Sequence, residues 1–172
     1  MENYLQLVKL AKRGDAEAFA GLYAEIYENM YRFALYTLRN TADAEDVVSE
    51  AVADAFASIR KLRAEEAFKS WIFQILANKC KDKLREYAKE RVQRAEGAMD
   101  AGVADTGQTA EEAILVRKIF FELGEEERLI IGMHIFCGYK SREIAEILHM
   151  NENTVRSKES RGLKKMAGKL TE

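Results

Sequence analysis

The sequence has no proline among its 172 residues. Average usage of about 5% would give roughly nine prolines. The absence excludes a proline-rich linker and a PxxP ligand segment, and it disfavours many-turned β-sandwiches, whose loops usually carry Pro and Gly. With 48% hydrophobic and 33% charged residues, the composition favours an all-α globular chain with room for one domain or two small ones.

Cysteine and histidine are also scarce, with only Cys80, Cys137, His134 and His149 present. The cysteines form no CxxC motif, and the histidines do not stand at metal-ligand spacing from them. We therefore expect two reduced thiols, no metal site and no cofactor. The sequence has no Gly-rich phosphate loop and no Ser/His/Asp constellation, so we predict no catalytic residues and do not expect an enzyme.

A long apolar run is missing as well. No stretch approaches the ~18 apolar residues that a membrane span needs. The N-terminal segment lacks a basic region followed by an apolar one, which a secretory signal would have. We expect a cytoplasmic protein with no membrane insertion of its own.

The 27 basic and 29 acidic residues nearly cancel, so bulk charge does not mark a nucleic-acid binder. The segments differ, however: 93–116 holds 1 basic and 5 acidic residues, whereas 117–172 holds 11 and 9. Any contact with nucleic acid must therefore come from local surfaces.

Apolar residues recur at helical spacing in eight segments, which predict helices over 3–12, 19–38, 42–60, 68–92, 109–123, 125–137, 142–148 and 152–169. Asp15 is suited to cap the second helix, and Thr41 or Asp43 the third. Thr109 and Glu112 fit a capping box for the fifth helix. No segment gives a convincing β-strand pattern.

The stretch 93–108 separates these helices into two groups. It contains three glycines and few large apolar residues, so it cannot bury much surface. We predict a flexible linker over 93–108 between a helical domain at 1–92 and a second at 109–172. Since no proline stiffens the linker, we expect a loosely tethered C-terminal domain.

Residues 141–163 fit a helix-turn-helix. Ser141 and Asn151 can cap the two helices, the small Ala145 lets the helices approach, and Val155 and Leu163 are expected to point inward. The second helix would then expose groups suited to base edges and phosphates, which are Glu152, Asn153, Thr154, Arg156, Ser157, Lys158, Ser160 and Arg161. The alternative is a plain helical hairpin with a solvated face.

Two earlier helices carry distinct polar faces. The helix over 42–60 has an acidic one, formed by Asp43, Glu45, Asp46, Ser49, Glu50 and Asp54. Attraction to the helix dipole explains acidic residues only in the first turn. The helix over 68–92 combines phosphate-binding charge with amides that both donate and accept, in Lys69, Gln74, Asn78, Lys79, Lys81 and Arg85. Trp71 could stack on a base, but we favour a core position for it.

The order of these motifs resembles that of the extracytoplasmic-function (ECF, group IV) RNA polymerase sigma factors, over nearly the whole chain. The similar segments are Gly14–Tyr23, Asp43–Glu50, Phe68–Asp82 and Glu143–Arg161. The sequence departs from the family pattern at Ala77, where a basic residue is frequent, at His149, where Gly is common, and at Glu159, where an apolar residue is usual. A left-handed backbone at His149 would be tolerated better than at most residues.

The resemblance implies a function for each surface. The acidic face would bind the clamp of core RNA polymerase. The helix over 68–92, with the preceding loop 60–67, would melt the downstream (−10) promoter element and hold a flipped base. The helix-turn-helix would read the upstream (−35) element. The implied partners are core RNA polymerase, promoter DNA and an anti-sigma factor. The alternative function is a stand-alone helix-turn-helix regulator with a helical sensing domain.

Overall fold

The computed structural model describes residues 2–93 and 111–171, and within these ranges the chain is helical with no β-strand. The helices are α1 (Glu2–Lys12), α2 (Ala16–Leu38), α3 (Thr41–Ser58), α4 (Phe68–Gln93), α5 (Glu111–Phe121), α6 (Glu125–Cys137), α7 (Ser141–Leu148) and α8 (Glu152–Leu170). Between α3 and α4 lie two short 3-10 turns, Ile59–Lys61 and Glu65–Ala67. The all-α prediction is confirmed. The predicted linker beyond Gln93 and the predicted cap at Thr109 lie outside the described residues.

Helix starts follow from side-chain caps. Asp15 caps α2, and its Oδ1 accepts a hydrogen bond from the Ala18 amide at 3.0 Å. At α3 the cap is Asn40, whose Oδ1 accepts from the Asp43 amide at 2.9 Å. The prediction that Thr41 or Asp43 caps this helix was wrong. The helix already begins at Thr41, so the residue before Thr41 takes the cap position.

The core of the N-terminal domain lies between α2, α3 and α4. Phe68, Ile72, Leu76 and Cys80 form the inward side of α4 and are fully buried. Cys80 and Cys137 are both buried free thiols, as predicted.

The C-terminal helices pack directly on the N-terminal domain. The Tyr36 ring of α2 meets Phe136 of α6 at a centroid distance of 4.7 Å, and Phe120 and Phe121 of α5 at 5.6 Å each. One continuous apolar core runs from α1 through α4 to α6, α7 and Val155 of α8. The expectation of a loosely tethered C-terminal domain was therefore wrong. The physical reason is that α6 buries apolar residues against both α2 and α8.

Polar contacts add to this packing of the C-terminal helices on the N-terminal domain, which we call the joint. Arg91 of α4 pairs with Glu125 of α6 at 2.9 Å. The Arg39 guanidinium lies 4.9 Å from the centre of the Phe121 ring, within cation–π range. Within the C-terminal group, Arg128 is buried close to this contact and donates from Nη1 to the Leu123 carbonyl oxygen at 2.6 Å. Burial, followed by the nearby positive charge of Arg39, lowers the pKa of Arg128.

Candidate polymerase and nucleic-acid interfaces

The acidic face of α3 is a continuous surface with one member turned inward. Glu45, Asp46, Ser49, Glu50 and Asp54 are exposed, whereas Asp43 is half-buried. Asp43 accepts a hydrogen bond from the Tyr87 hydroxyl of α4 and lies 3.6 Å from Lys83 Nζ. Burial and this hydrogen bond raise the pKa of Tyr87. Asp43 therefore joins α3 to α4, and the other five residues lie on the exposed side of α3.

Lys79 links the acidic face to the polar face of α4. Its Nζ lies 2.7 Å from Asp54 and 3.5 Å from Glu50. The hydrogen bond to Asp54 is the main cause that raises the pKa of Lys79. Two residues predicted to bind polymerase thus neutralise one predicted to bind DNA, and the two candidate sites form one surface.

The remaining residues that we assigned to the polar face of α4 are amides and cations, of which Gln74, Asn78, Lys81 and Arg85 share one side of the helix. Asn78 and Arg85 are exposed, and Lys69, Gln74 and Lys81 are half-buried. Arg85 pairs with Asp82 at 2.9 Å on the helix surface, and exposed pairs of this kind contribute only a few tenths of a kcal/mol. Such a pair costs little to exchange for a DNA phosphate.

A cleft of about 480 Å³ opens beside this face, between α4, the loop that precedes it and α7. Lys61 and Arg63 of the loop line it together with Ser70, Trp71 and Gln74 of α4. Trp71 is half-buried, and its ring lies 6.1 Å from that of Phe68. Trp71 therefore packs against the core, as we expected, and also forms part of the cleft wall.

The C-terminal helices form the predicted helix-turn-helix. His149 ends α7 with a left-handed backbone at φ 53°, and Asn151 caps α8 by accepting from the Asn153 amide at 2.8 Å. Ala145 and Val155 are buried where the two helices meet. The left-handed turn at His149 and the cap at Asn151 are both confirmed.

Two details of this motif differ from the sequence prediction. Leu163 is 45% exposed, and Gly162 and Met166 take the inward positions of α8 instead. Ser141 is the first residue of α7 and not its cap: Lys140 occupies the cap position, and its amide donates to the Glu143 carboxylate at 2.8 Å.

Most of the predicted reading residues of α8 lie on its outer surface. Asn153, Thr154, Arg156, Ser157, Ser160 and Arg161 are exposed, and Glu152 and Lys158 are half-buried. Arg156 pairs with Glu152 at 2.5 Å, one turn away on the same helix. Lys158 pairs with Glu126 of α6, so that this cation is partly neutralised within the domain.

Sequence reasoning missed the side chains that complete these surfaces. Lys61 and Arg63 line the cleft, whereas the resemblance implied a role for the loop 60–67 as a whole and singled out neither side chain. Glu143 and Glu146 of α7 line its opposite wall. A sequence pattern could mark α7 as amphipathic, but it could not show that the acidic side of α7 faces α4.

The described residues contain no group of three or more His, Cys, Asp or Glu side chains arranged to hold a metal ion. None of the described helices is long and apolar enough to cross a membrane.

A helical domain with an acidic face and an amide-rich helix, followed by a helix-turn-helix, defines a class of transcription factors that contact both protein and DNA. Comparison with known families agrees: residues 22–90 match the Sigma-70 region 2 family and residues 115–166 match the Sigma-70, region 4 family. The chain is 33% identical over 146 residues to the RNA polymerase sigma factor SigV of Bacillus subtilis, covering 84% of this chain and 86% of SigV. It is 29% identical over 154 residues to the ECF sigma factor SigM of Mycobacterium tuberculosis, covering 90% of this chain and 78% of SigM.

Two solved structures share the fold. The sigma factor RpoE of Bartonella quintana, in complex with the anti-sigma factor NepR, matches with a TM-score of 0.77 at 22% identity over 91% of this chain and 98% of RpoE. CnrH, in complex with the cytosolic domain of CnrY, matches with a TM-score of 0.72 at 21% identity over 98% of this chain and 97% of CnrH. The chain belongs to the ECF RNA polymerase sigma factors. It is therefore a transcription initiation factor and not an enzyme.

Proposed function

We propose that residues 1–92 bind the clamp of core RNA polymerase and melt the −10 element, and that residues 109–172 read the −35 element. The observation that carries the first assignment is the single surface on which the acidic face of α3 meets the amide-rich face of α4 at Lys79. A factor that holds melted DNA against polymerase needs these two surfaces side by side. A stand-alone regulator does not hold melted DNA against polymerase, so it would not need these two surfaces to be adjacent.

The helix-turn-helix contributes modest affinity of its own. Residues 117–172 carry only two more basic than acidic side chains, so α8 can neutralise few phosphates. Each phosphate contact adds roughly one unit of salt slope, and binding by this domain alone should be weak and sensitive to salt. The polymerase holds the domain on the promoter, and the protein works in the cytoplasm.

The family and the solved neighbours support an anti-sigma partner for this chain. RpoE was solved with an anti-sigma factor bound. We propose that such a factor and core polymerase compete for the surfaces of α3 and α4. Purified full-length protein bound to core polymerase should then be displaced by the cognate inhibitor, and simultaneous binding of both at the acidic face would contradict the competition.

The experiment that tests the polymerase assignment is charge reversal on α3. Asp46→Lys with Glu50→Lys should prevent assembly with core polymerase and abolish promoter-dependent initiation, because the exposed negative face becomes positive. The matched control is Glu25→Lys with Glu28→Lys on the exposed surface of α2, which carries the same charge change.

Circular dichroism should give the same helicity for both double variants. If the α3 variant still co-purifies with core polymerase as the wild type does, the assignment of this face is wrong. If the wild-type protein gives no initiation above core polymerase alone, the proposed function itself fails.

A further inference from the structure

A positively charged surface lies where the end of α1 meets the loop that follows α3. We call it the basic surface, and its cations are Lys9, Lys12, Arg13, Arg60, Lys61 and Arg63. The two segments that carry it, 9–15 and 60–66, hold six basic and three acidic side chains, which leaves a net charge of +3. Residues 1–92 as a whole hold 15 basic and 15 acidic side chains. Positive charge is therefore concentrated at this place in an otherwise neutral domain.

Direct contacts bring the two segments of the basic surface together. Lys12 Nζ of α1 lies 2.9 Å from Oε1 of Glu65 in the loop. This hydrogen bond is the main cause that lowers the pKa of Glu65, and the nearby charge of Lys9 adds to it. On the other side, Arg60 Nη2 would lie 3.4 Å from a Cβ built on Gly14. The cations of α1 and those of the loop are therefore neighbours in the folded chain.

Most cations of the basic surface have no carboxylate partner. Within residues 2–93 and 111–171, ion pairs are absent and the side chains are exposed at Lys9, Arg13, Arg60, Lys61 and Arg63. By contrast, Lys79 of the polar face of α4 is paired with Asp54. Arg156 of α8 is likewise paired with Glu152. An unpaired cation can bind an anion without first giving up a carboxylate.

The ends of two helices explain part of this charge. Lys9 and Lys12 stand in the last turn of α1, and Arg60 and Lys61 in the 3-10 turn that follows α3. Cations at these positions are attracted to the carbonyl ends of the helices. Arg63 stands beyond that turn and is exposed, so the same attraction does not explain it.

The chemistry of the basic surface fits a phosphate backbone. Segments 9–15 and 60–66 contain no aromatic and no amide side chain, and Lys and Arg without such neighbours are typical of contacts to phosphate. Lys61 and Arg63 also line the cleft beside α4. The basic surface is therefore continuous with the place where we assign the melted −10 element, and this continuity favours DNA over an acidic protein segment.

We propose that the basic surface binds the phosphate backbone of promoter DNA where the DNA leaves the cleft beside α4, with Lys9 and Arg13 of α1 as additional contacts. The proposal rests on the proposed function, because it takes the cleft as the site of the melted strand. Each phosphate contact contributes about 0.7–0.9 units to the slope of log affinity against log salt. The basic surface thus adds affinity for any promoter without adding sequence preference.

The test neutralises the α1 part of the basic surface in the full-length protein assembled with core polymerase. Lys9→Gln with Arg13→Gln removes two exposed charges and leaves the cleft residues intact. We expect the salt slope of promoter binding to fall by about 1.5 units, and promoter affinity at 0.1 M salt to fall roughly tenfold.

Fluorescence anisotropy measures both quantities between about 0.05 and 0.2 M salt, the range over which such contacts are resolved. The probe is a labelled promoter fragment recovered by transcription of genomic DNA with the wild-type holoenzyme. Circular dichroism and co-purification with core polymerase check that the variant folds and assembles as the wild type does.

Two controls accompany this variant. Arg32→Gln with Lys118→Gln removes the same charge from exposed positions of α2 and α5. Lys9→Arg with Arg13→Lys keeps the charge of the basic surface and changes its shape. Both controls should retain the wild-type salt slope, because phosphate binding depends on the number of charges.

An unchanged salt slope for Lys9→Gln with Arg13→Gln would overturn the proposal. So would an equal loss in the charge-retaining variant, or weaker assembly with core polymerase, which would assign the basic surface to a protein contact. Initiation separates these results from a failure of the proposed function. Normal initiation with an unchanged slope rejects only the basic surface, whereas no initiation by the wild-type holoenzyme on any fragment rejects the function on which the proposal rests.

Discussion

Glu159 connects three parts of the helix-turn-helix. Its side chain is only 14% exposed, and Oε2 accepts a hydrogen bond from the Ser141 hydroxyl at 3.1 Å. Its Oε1 lies 3.4 Å from Nδ1 of His134. The carboxylate thus attaches α8 to the start of α7 and to the end of α6. This accounts for an acidic residue at a position where the family usually has an apolar one.

We predict that Glu159→Leu lowers the free energy of unfolding by about 1–2 kcal/mol, because the half-buried Ser141 hydroxyl loses its acceptor. Glu159→Gln should cost less than half of this, since its amide oxygen can still accept from Ser141. Urea unfolding followed by circular dichroism measures both values. A Leu variant as stable as the wild type would show that the carboxylate contributes nothing to the packing of α8.

Arg156 is the residue of α8 for which we expect the largest effect on promoter reading. Arg156→Ala should weaken binding of the −35 element by polymerase holoenzyme by about 1–3 kcal/mol if its guanidinium makes a bidentate base contact. The control is Arg142→Ala, since Arg142 is an exposed arginine on α7 that pairs with Glu146 at 3.5 Å. Equal promoter affinities for the wild type and Arg156→Ala would remove Arg156 from the set of reading residues.

At the scale of residues, local chemistry was predictable and tertiary chemistry was not. The left-handed His149 and the cap at Asn151 depend on neighbours within a few positions, so the sequence reveals them. The bond between Asp43 and Tyr87 joins residues 44 positions apart. The sequence alone therefore indicated a surface carboxylate at Asp43, whereas in the structure Asp43 is half-buried beside α4.

Among the elements, α8 shows how a glycine can replace a large side chain in packing. Val155, Gly162 and Met166 are the inward positions, and they follow one another at spacings of seven and four. A Cβ on Gly162 would lie 2.5 Å from Cδ1 of Ile131 in α6. The prediction that Leu163 points inward was wrong because a count of apolar residues passes over glycine.

Two glycines of α8 give a matched pair of substitutions. Gly168→Ala should stabilise the protein by about 0.5–1 kcal/mol, because alanine favours the helix and no atom lies within 4 Å of the new Cβ. Gly162→Ala gains the same helix propensity, but its new methyl group must displace the buried Ile131. Overpacking of this kind typically costs about 1–3 kcal/mol. We expect a net loss of up to about 2 kcal/mol.

Thermal or urea unfolding of the two variants under one condition distinguishes them. The decisive quantity is the difference between their unfolding free energies, because helix propensity is common to both. If Gly162→Ala is as stabilising as Gly168→Ala, then α6 and α8 do not pack as closely as described.

For the whole molecule, the sequence predicted two helical groups but not their packing. The joint was missed because the helical spacing of apolar residues in 125–137 does not show how many neighbours the helix has. In the structure all residues from Glu127 to Met133 are buried, which is typical of a helix with neighbours on several sides. That run of buried positions includes Gly132, whose Cβ would lie 3.5 Å from the Phe33 ring. A glycine there permits the close approach of α6 to α2.

The buried thiols and phenols predict a loss of stability at high pH. Burial raises the pKa of Cys137 from its ordinary value of 9.0 to about 12. Burial also raises the pKa of Cys80 above the same ordinary value. Burial likewise raises the pKa of Tyr4 to about 12. Since the folded state holds these protons more tightly than the unfolded chain, stability is fully present below pH 9 and falls as pH rises from about 9 towards 12.

Thermal unfolding midpoints measured between pH 7 and 11 check this expectation. Cys80→Ala with Cys137→Ala should be less stable at neutral pH, because each substitution leaves a small cavity, but its midpoint should fall less steeply between about pH 9 and 10. An identical slope in the variant and the wild type would contradict the assignment of the early decline to the thiols.

The burial of α6 between α2 and α8 has a consequence for how long the protein survives in the cell. Opening the joint uncovers Tyr36, Phe136 and Tyr139 together, and exposed aromatic surface is what proteases and chaperones recognise in incompletely folded chains. A molecule that opens without a partner would therefore be removed, whereas the closed one would persist. The supply of this factor would then depend on degradation as well as synthesis, and the aromatic joint between its halves would set its lifetime.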